Sequence, residues 1–416
     1  MNSAPAKLIF IILFLISFSS GCSREATYSK NNVEESVKKL CKDEYGLDVD
    51  VEILGSTLGV YIPIEGLVNE QMKLDEEAEE KINDVALSIY RVTMSSDRPL
   101  KIFTLTARDT KTYGAEFIVT GALYDVVRFR LLDISRGEHG KRILRDFKFN
   151  PTLTSELKVR ELFVAVNEDS SSIQQIKPLF YPIHIVGQKN SQRIEIIDVR
   201  SKEISSNEAL LHVKTKEYYT PRPEFAMYSA IFPSGFENEY LFLSDIATFP
   251  SPIKEIIAKY FPSGTDIRER DLQEIFNQYE DVGYIGVNGL PKRELTIDWF
   301  LAEQIARRIK FLFAENKLLD KRFTVEDSKG LVQDKLFQFT FSITPSGEPK
   351  EDDREIILSN ILKLIAKIFH RYWFDDFEGV MLIDTNAGGQ PTYLSKDELA
   401  RFRKGRIKPK DIINNY

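Results

Sequence analysis

Cysteine, histidine and tryptophan are scarce in this chain, at two, four and two of 416 residues. Two cysteines cannot build a disulfide framework, and four scattered histidines leave little material for a zinc cluster. Long apolar runs are missing too. The longest, Leu8 to Ile16, has nine residues, well short of the roughly 20 that a spanning helix needs. Charge is nearly balanced: 56 Lys and Arg face 63 Asp and Glu for a net charge of -7, which argues against nucleic acid as a partner. The compact catalytic signatures are also missing: no H-E-x-x-H, no G-x-S-x-G and no G-x-x-x-x-G-K-[ST] occurs. Gly55-Ser56-Thr57-Leu58-Gly59 has the outline of a nucleophile elbow, but its centre is Thr and it reads as a hairpin tip. What remains is a chain with 43% hydrophobic and 29% charged residues, enough core for two or three domains.

The first 21 residues carry an address. Lys7 is the sole charge before Arg24, and it precedes the run LIFIILFLI and the small-residue exit Ser17-Phe18-Ser19-Ser20-Gly21. A basic start, a short apolar stretch and small residues describe a secretory signal peptide. Ser20-Gly21-Cys22 resembles the lipobox of bacterial lipoproteins, in which the cysteine becomes the lipid-modified N-terminus; Ser19 stands where that family usually has Leu. The resemblance covers the targeting segment alone, and the alternative is an ordinary cleaved signal peptide. It implies a palmitate-type anchor on Cys22 and attachment to a membrane without a spanning helix. With Ser rather than Asp at position 23, it also implies an address at the outer membrane facing the periplasm. An acylated Cys22 leaves Cys41 without a disulfide partner.

Beyond a polar tether at 22–31, the pattern divides the chain into an N-terminal α+β unit at 32–150, a central α+β domain at 155–290 and a C-terminal α+β unit at 296–405. A basic tail follows at 406–416. Asn32 and Glu35 have capping-box spacing, and Val33, Val37, Leu40 and Cys41 recur at helical intervals up to Gly46. Leu47, Val49, Val51 and Ile53 alternate with acidic residues, and Leu58, Val60 and Ile62 resume the alternation after Gly55-Ser56. That is a hairpin with a II′ turn. A helix over 72–92, strands at 99–108 and 116–120 and a helix near 121–135 complete the unit. The same order recurs after Thr296: a helix to about Glu315, strands through Phe323 and Phe337–Ile343, and a long helix bearing Ile357, Ile361 and Ile365. Strands at Val380–Ile383 and Thr392–Leu394 follow, then a helix capped by Ser395 and Glu398. Arg128-Phe129-Arg130 recurs as Arg401-Phe402-Arg403. The fold class expected is therefore α+β, with two related α-β-β-α-β-β units flanking a central antiparallel sheet. The central stretch carries a helix near 155–178, strands at 193–200, 206–219 and 239–245, a helix at 252–260, and many aromatics between Tyr218 and Phe242.

Few residues point to chemistry. Arg136, His139, Lys141 and Arg142 with two glycines form a basic segment that suits an anion, against the blander reading of a solvated turn. His184 sits among apolar residues, His212 is expected to face outward beside Lys214 and Lys216, and His370 ends a helix. Asp375, Asp376 and Glu378 are a possible acidic site, since two carboxylates about 5–10 Å apart can hydrolyse a glycosidic bond; acidic residues at a strand entry more often only hydrate it. Glu351-Asp352-Asp353 reads as an acidic helix start, and Arg401 to Lys410 as a solvated basic end. No spacing implies a catalytic set, a metal or a cofactor. The function expected is a lipid-anchored envelope protein acting as a non-catalytic binding or assembly module with a protein partner. The alternatives are a glycan hydrolase using a carboxylate pair and a carrier with an apolar cavity in the central domain.

Overall fold

A computed structural model describes residues 27–69, 71, 73–168, 191–219, 236–245, 269–386, 388 and 390–413. The signal segment, Cys22, His184, the 252–260 stretch, and Phe225, Tyr228 and Phe232 lie outside the described residues. The architecture is mixed α+β, with sheets of five, three and four strands.

The chain enters the first unit through α1 (Val33–Tyr45), which ends at Gly46 with φ +69°; its N–H reaches the carbonyls of Cys41 and Lys42, a left-handed cap that favours glycine. Asn32 stands at the N-cap, but with φ -120° and ψ 13° its side chain makes no capping bond, so the expected capping box does not form. Glu34 instead accepts the Ile53 N–H at 3.1 Å and ties the helix to the sheet. Next come β1 (Asp50–Leu54) and β2 (Thr57–Ile64). Of the two turn residues between them, Gly55 alone has positive φ, +58°, the sign pattern of the II′ turn. Then follow α2 (Glu76–Met94), β3 (Ile102–Asp109), β4 (Ala115–Ala122), α3 (Leu123–Arg130), α4 (Arg136–Arg142) and β5 (Leu144–Phe149). The sheet order is β1-β2-β3-β4-β5. Only β2 and β3 run parallel, because the α2 crossover joins them. One face buries Leu58, Val60, Phe103 and Leu105 with Val37, Val85 and Ile89 of α1 and α2.

The central part holds α5 (Pro151–Glu168), β6 (Ser191–Glu203), β7 (Glu208–Tyr219), β8 (Phe236–Asp245) and α6 (Glu269–Gln278). The three strands form an antiparallel sheet. Val159 and Phe163 of α5 pack with Leu211, Val213, Tyr240 and Phe242 on one face; Leu272, Ile275 and Phe276 of α6 pack with Leu210 and Leu241 on the other. Both faces of the described sheet are therefore covered by helices. The second helix corrects the reading of His212. Instead of facing solvent it is fully buried, with Nε2 2.7 Å from Glu239 and its ring 5.7 Å from Phe276.

The third unit comprises α7 (Ile297–Glu315), the short α8 (Lys317–Asp320), β9 (Phe323–Gln333), β10 (Leu336–Pro345), α9 (Asp353–Arg371), β11 (Gly379–Asp384), β12 (Pro391–Ser395), α10 (Lys396–Arg403) and α11 (Pro409–Ile413). Its sheet order is β12-β11-β10-β9, again with only the inner pair, β10 and β11, parallel. Strand order and direction thus match the first four strands of the N-terminal unit. The closing helices correspond even more closely. Both have eight residues, begin directly after the fourth strand of their unit and end on Arg-Phe-Arg. The two units share this strand order, and β5 is a fifth strand present in the first alone. The Ser395–Glu398 capping box is formed as expected. The tail is not a fully solvated end, because α11 buries Ile412 in the C-terminal core.

The two related units, far apart in the chain, meet face to face. Ile102, Ala122 and Leu144 on the second face of the N-terminal sheet join one apolar cluster with Leu295, Phe300, Leu301 and Ile305. The stretch before α7 straps over that face: Arg108 donates to the Val287 carbonyl at 2.6 Å, and Ser56 N–H donates to Glu294 at 2.8 Å. The Leu295 N–H reaches Thr57 Oγ1 at 2.7 Å. Two faces of one sheet buried on different elements explain why β3 and β4 are buried almost throughout.

Candidate functional site at the seam between the related units

Where α3 of the first unit meets the end of α9 in the second, a groove of about 470 Å³ opens. Thr93 and Met94 form one wall at the last turn of α2. Leu123, Tyr124 and Val127 of α3 form the floor, and Tyr372, Trp373 and Phe374 supply the opposite wall. Lys101 lies on its margin with Asp375 and Asp376. The walls are aromatic: Tyr124 has its ring centroid 5.9 Å from Trp373 and 6.1 Å from Tyr372, and the Arg128 guanidinium lies 5.5 Å from the Tyr124 centroid. Trp373 caps α9 by donating its N–H to the His370 carbonyl with a left-handed φ of +49°. Its side chain remains 75% exposed.

Beneath the groove lies a buried polar network that crosses the seam. Asp125 and Arg142, each 2% exposed, pair at 2.6 Å. The Tyr372 hydroxyl donates to the other Asp125 oxygen. Gln304 of α7 donates to the Arg142 carbonyl at 2.9 Å and to the Tyr372 hydroxyl at 3.0 Å. Arg142 Nε reaches Glu138 at 3.0 Å, and Glu138 also holds Arg371 at 2.8 Å and Arg308 at 3.4 Å. Burial and the neighbouring Asp125 charge push the Tyr372 phenol well above its ordinary pKa, so it stays a neutral donor. Burial opposes ionisation of Glu138, but Arg308, Arg142 and Arg371 outweigh it and hold the carboxyl below its ordinary value. For Arg142, burial opposes the charge, while Asp125, Tyr372 and the bonds to Asp125 and Glu138 raise the pKa. The network fixes Tyr372, and through it the aromatic wall.

The basic segment therefore has a structural destination. It forms α4, not a solvated turn. Arg142 is committed to two carboxylates, and Lys141 pairs with Glu315 at 2.8 Å. His139, 6% exposed, stacks on Phe129 at 4.6 Å with an interplanar angle of 4°. Neither of its ring nitrogens has a hydrogen-bond partner, and burial first, then the Arg142 and Arg145 charges, lowers its pKa against the pull of Asp125. Arg136 alone of the four is exposed and outside these pairings. Lys141 and Arg142 thus direct their charge to carboxylates of the protein itself.

The acidic residues separate as well. Asp375 and Asp376 border the groove, but the Asp376 carboxylate is 73% exposed and bonds Lys335 at 2.5 Å, which holds it below the usual carboxylate range. Asp375 receives Lys396 on its backbone carbonyl. Glu378 is exposed and bonds the Lys335 carbonyl through its own N–H at 3.0 Å. Carboxyls raised by burial are found at Glu156 and Glu303, neither of which lines the groove. A general acid needs the raised value at the site itself. Among the described residues, no group of three or more His, Cys, Asp or Glu is placed to hold a metal ion. No helix among them is long and apolar enough to cross a membrane.

Sequence reasoning reached the groove through its least informative members, Asp375 and Asp376. It missed Met94, Tyr124, Val127, Tyr372 and Trp373. The available signal was Tyr372-Trp373-Phe374, three aromatics placed directly after the last turn of an amphipathic helix. The chain matches no protein-family model, no curated protein and no solved structure.

Proposed function

We propose that the protein is a lipid-anchored component of the cell envelope, tethered through Cys22, whose seam groove makes it a non-catalytic binding module. The observation that carries this reading is the exposed aromatic and aliphatic rim of the groove: Trp373 at 75%, Met94 at 42% and Val127 at 38%. Apolar surface concentrated beside a concavity marks an interaction site. The rigid network beneath it keeps the wall in place without binding energy having to order it. The hydrolase alternative draws no support from the groove, where the Asp376 carboxylate is lowered, exposed and paired.

Intact mass and membrane fractionation of the wild type beside Cys22→Ser test the anchor. The expected result is a mass gain of two or three acyl chains and membrane association, both lost in the variant. A freely soluble, unmodified wild type would remove the anchor from the proposal. The groove is tested by a photo-crosslinking residue at Val127 in the intact cell. A discrete adduct that disappears with Trp373→Ala is expected; equal labelling at Arg136, outside the groove, would refute a site there.

A further inference from the structure

The partner of the groove face is named by where the chain enters the fold. Tyr28, among the first described residues, donates its N–H to the Ser95 carbonyl at 3.1 Å and bridges Ser96. Ser95 directly follows Met94, which lines the groove. The tether therefore leaves the body at the groove rim. Five residues lie between Cys22 and Tyr28, and the six steps reach about 20 Å at full extension. An acyl chain on Cys22 would hold this rim within about 20 Å of the bilayer.

The residues at that rim suit a lipid surface. Leu131 and Leu132 extend the apolar strip of α3 by one turn beyond Val127: the Leu131 N–H bonds the Val127 carbonyl at 3.0 Å, and the two side chains are 72% and 88% exposed. Leu132 and Trp373 both have left-handed backbones, φ +60° and +49°. Large side chains at such positions are disfavoured, and glycine or asparagine serves the turn better. Two strained turns that both display a bulky apolar side chain to solvent are explained by something outside the described residues that receives those side chains. Exposed basic residues, Lys101 and Arg130, lie in the same region. Tryptophan and aliphatic side chains flanked by Lys and Arg are the composition of the headgroup–acyl boundary.

We infer that the groove face, with Trp373, Leu131, Leu132 and Met94 at its contact edge, docks on the phospholipid surface that holds the Cys22 anchor. This rests on the lipid-anchor reading and assigns the partner of its groove.

The test uses the mature, acylated protein, its modification checked by intact mass, in vesicles of phosphatidylethanolamine and phosphatidylglycerol with or without brominated acyl chains. Trp299 and Trp373 are the two tryptophans, so comparison with Trp373→Phe isolates the exposed one, and Phe keeps an aromatic ring beside Tyr124. Brominated lipid is expected at least to halve the Trp373 emission and to leave the Trp299 emission unchanged. Acylated protein whose Trp373 emission is the same in both vesicles would overturn the docking inference and leave the anchor standing. A protein adduct, rather than a lipid adduct, from the crosslinker at Val127 would also overturn it while leaving a binding module. An unmodified Cys22 would overturn the anchor and this inference together.

Discussion

Arg142 is the residue on which the seam most depends, and its replacement by Met tests the account of the buried network. The guanidinium bonds Asp125 at 2.6 Å and Glu138 at 3.0 Å, and its charge lies 5.4 Å from the Tyr372 ring centroid. Glu138 would keep Arg371 and Arg308 as partners. Asp125 would keep only the Tyr372 hydroxyl, leaving an uncompensated charge at a site 2% exposed. Removing one member of such a pair costs about 3–5 kcal/mol. Met fills much of the vacated volume and Tyr372 still donates, so the low end, about 3 kcal/mol, is expected. At about 2.1 cal/mol/K of unfolding entropy per residue, a cooperative chain of this length would lose roughly 3–4 °C in Tm. Urea unfolding followed by tryptophan emission reads it directly, because Trp299 and Trp373 flank the seam. Asp125→Asn in the same chain removes the orphan charge, so the double variant should be the more stable of the two, with a coupling of about 1–2 kcal/mol in the cycle. If Arg142→Met stays within about 1 kcal/mol of wild type, or the double variant is the worse, the network does not hold the seam as argued.

Three further outcomes follow from the same geometry. Leu132→Gly relieves a left-handed backbone worth about 1–2 kcal/mol and loses about 0.4–1 kcal/mol to unfolded-chain freedom. With the side chain 88% exposed, a slight stabilisation in urea is expected; a loss above about 1 kcal/mol would show that Leu132 is buried in solution. The lowered pKa of His139 means the unfolded chain binds its proton more readily. Its contribution is therefore complete above the ordinary histidine value near 6.5 and is lost as pH falls through the lower folded value. His139→Phe should flatten the decline in urea midpoint between about pH 7.5 and pH 5, partially because His212 is also lowered by burial; an unchanged slope would refute it. Gly330→Ala places a Cβ 2.3 Å from the Ala302 carbonyl oxygen of α7, a backbone atom with little room to move. A loss of about 1–3 kcal/mol is expected, and a neutral variant in thermal unfolding would contradict the close approach of α7 to β9.

The architecture was legible because its elements follow local rules. The alternation of Phe337, Phe339, Phe341 and Ile343 is a strand with one buried side, and those residues are nearly inaccessible. The relation between the units was visible in element order and in one triplet, which the structure places at equivalent helix ends. His212 failed for a physical reason. Alternation within a strand tells which residues share a face, but not how many faces are covered, and the second cover comes from α6, a segment 57 residues later. Asn32 failed because capping depends on a backbone conformation that residue spacing alone does not specify.

The site was harder to read because it belongs to neither unit alone. Lys141 and Arg142 look like solvated cations in sequence, and their partners Glu315 and Asp125 stand 174 and 17 residues away. A local reading therefore sees free charge where the fold makes a latch. Tyr124 and Trp373 have the opposite history. Each ends or opens an otherwise amphipathic helix and looks like core, yet the packing of two related units leaves Trp373 outside. The equivalent helices explain the asymmetry. Phe402 in the second Arg-Phe-Arg is buried within its own unit, whereas Phe129 in the first stacks on His139 of α4. The helix bearing Phe129 is held at the seam by the Tyr372 bond to Asp125 and by Arg128 on the Arg371 carbonyl, and its Tyr124 and Val127 face becomes groove. One closing helix is packed into the core of its own unit, and the other presents Tyr124 and Val127 to the groove.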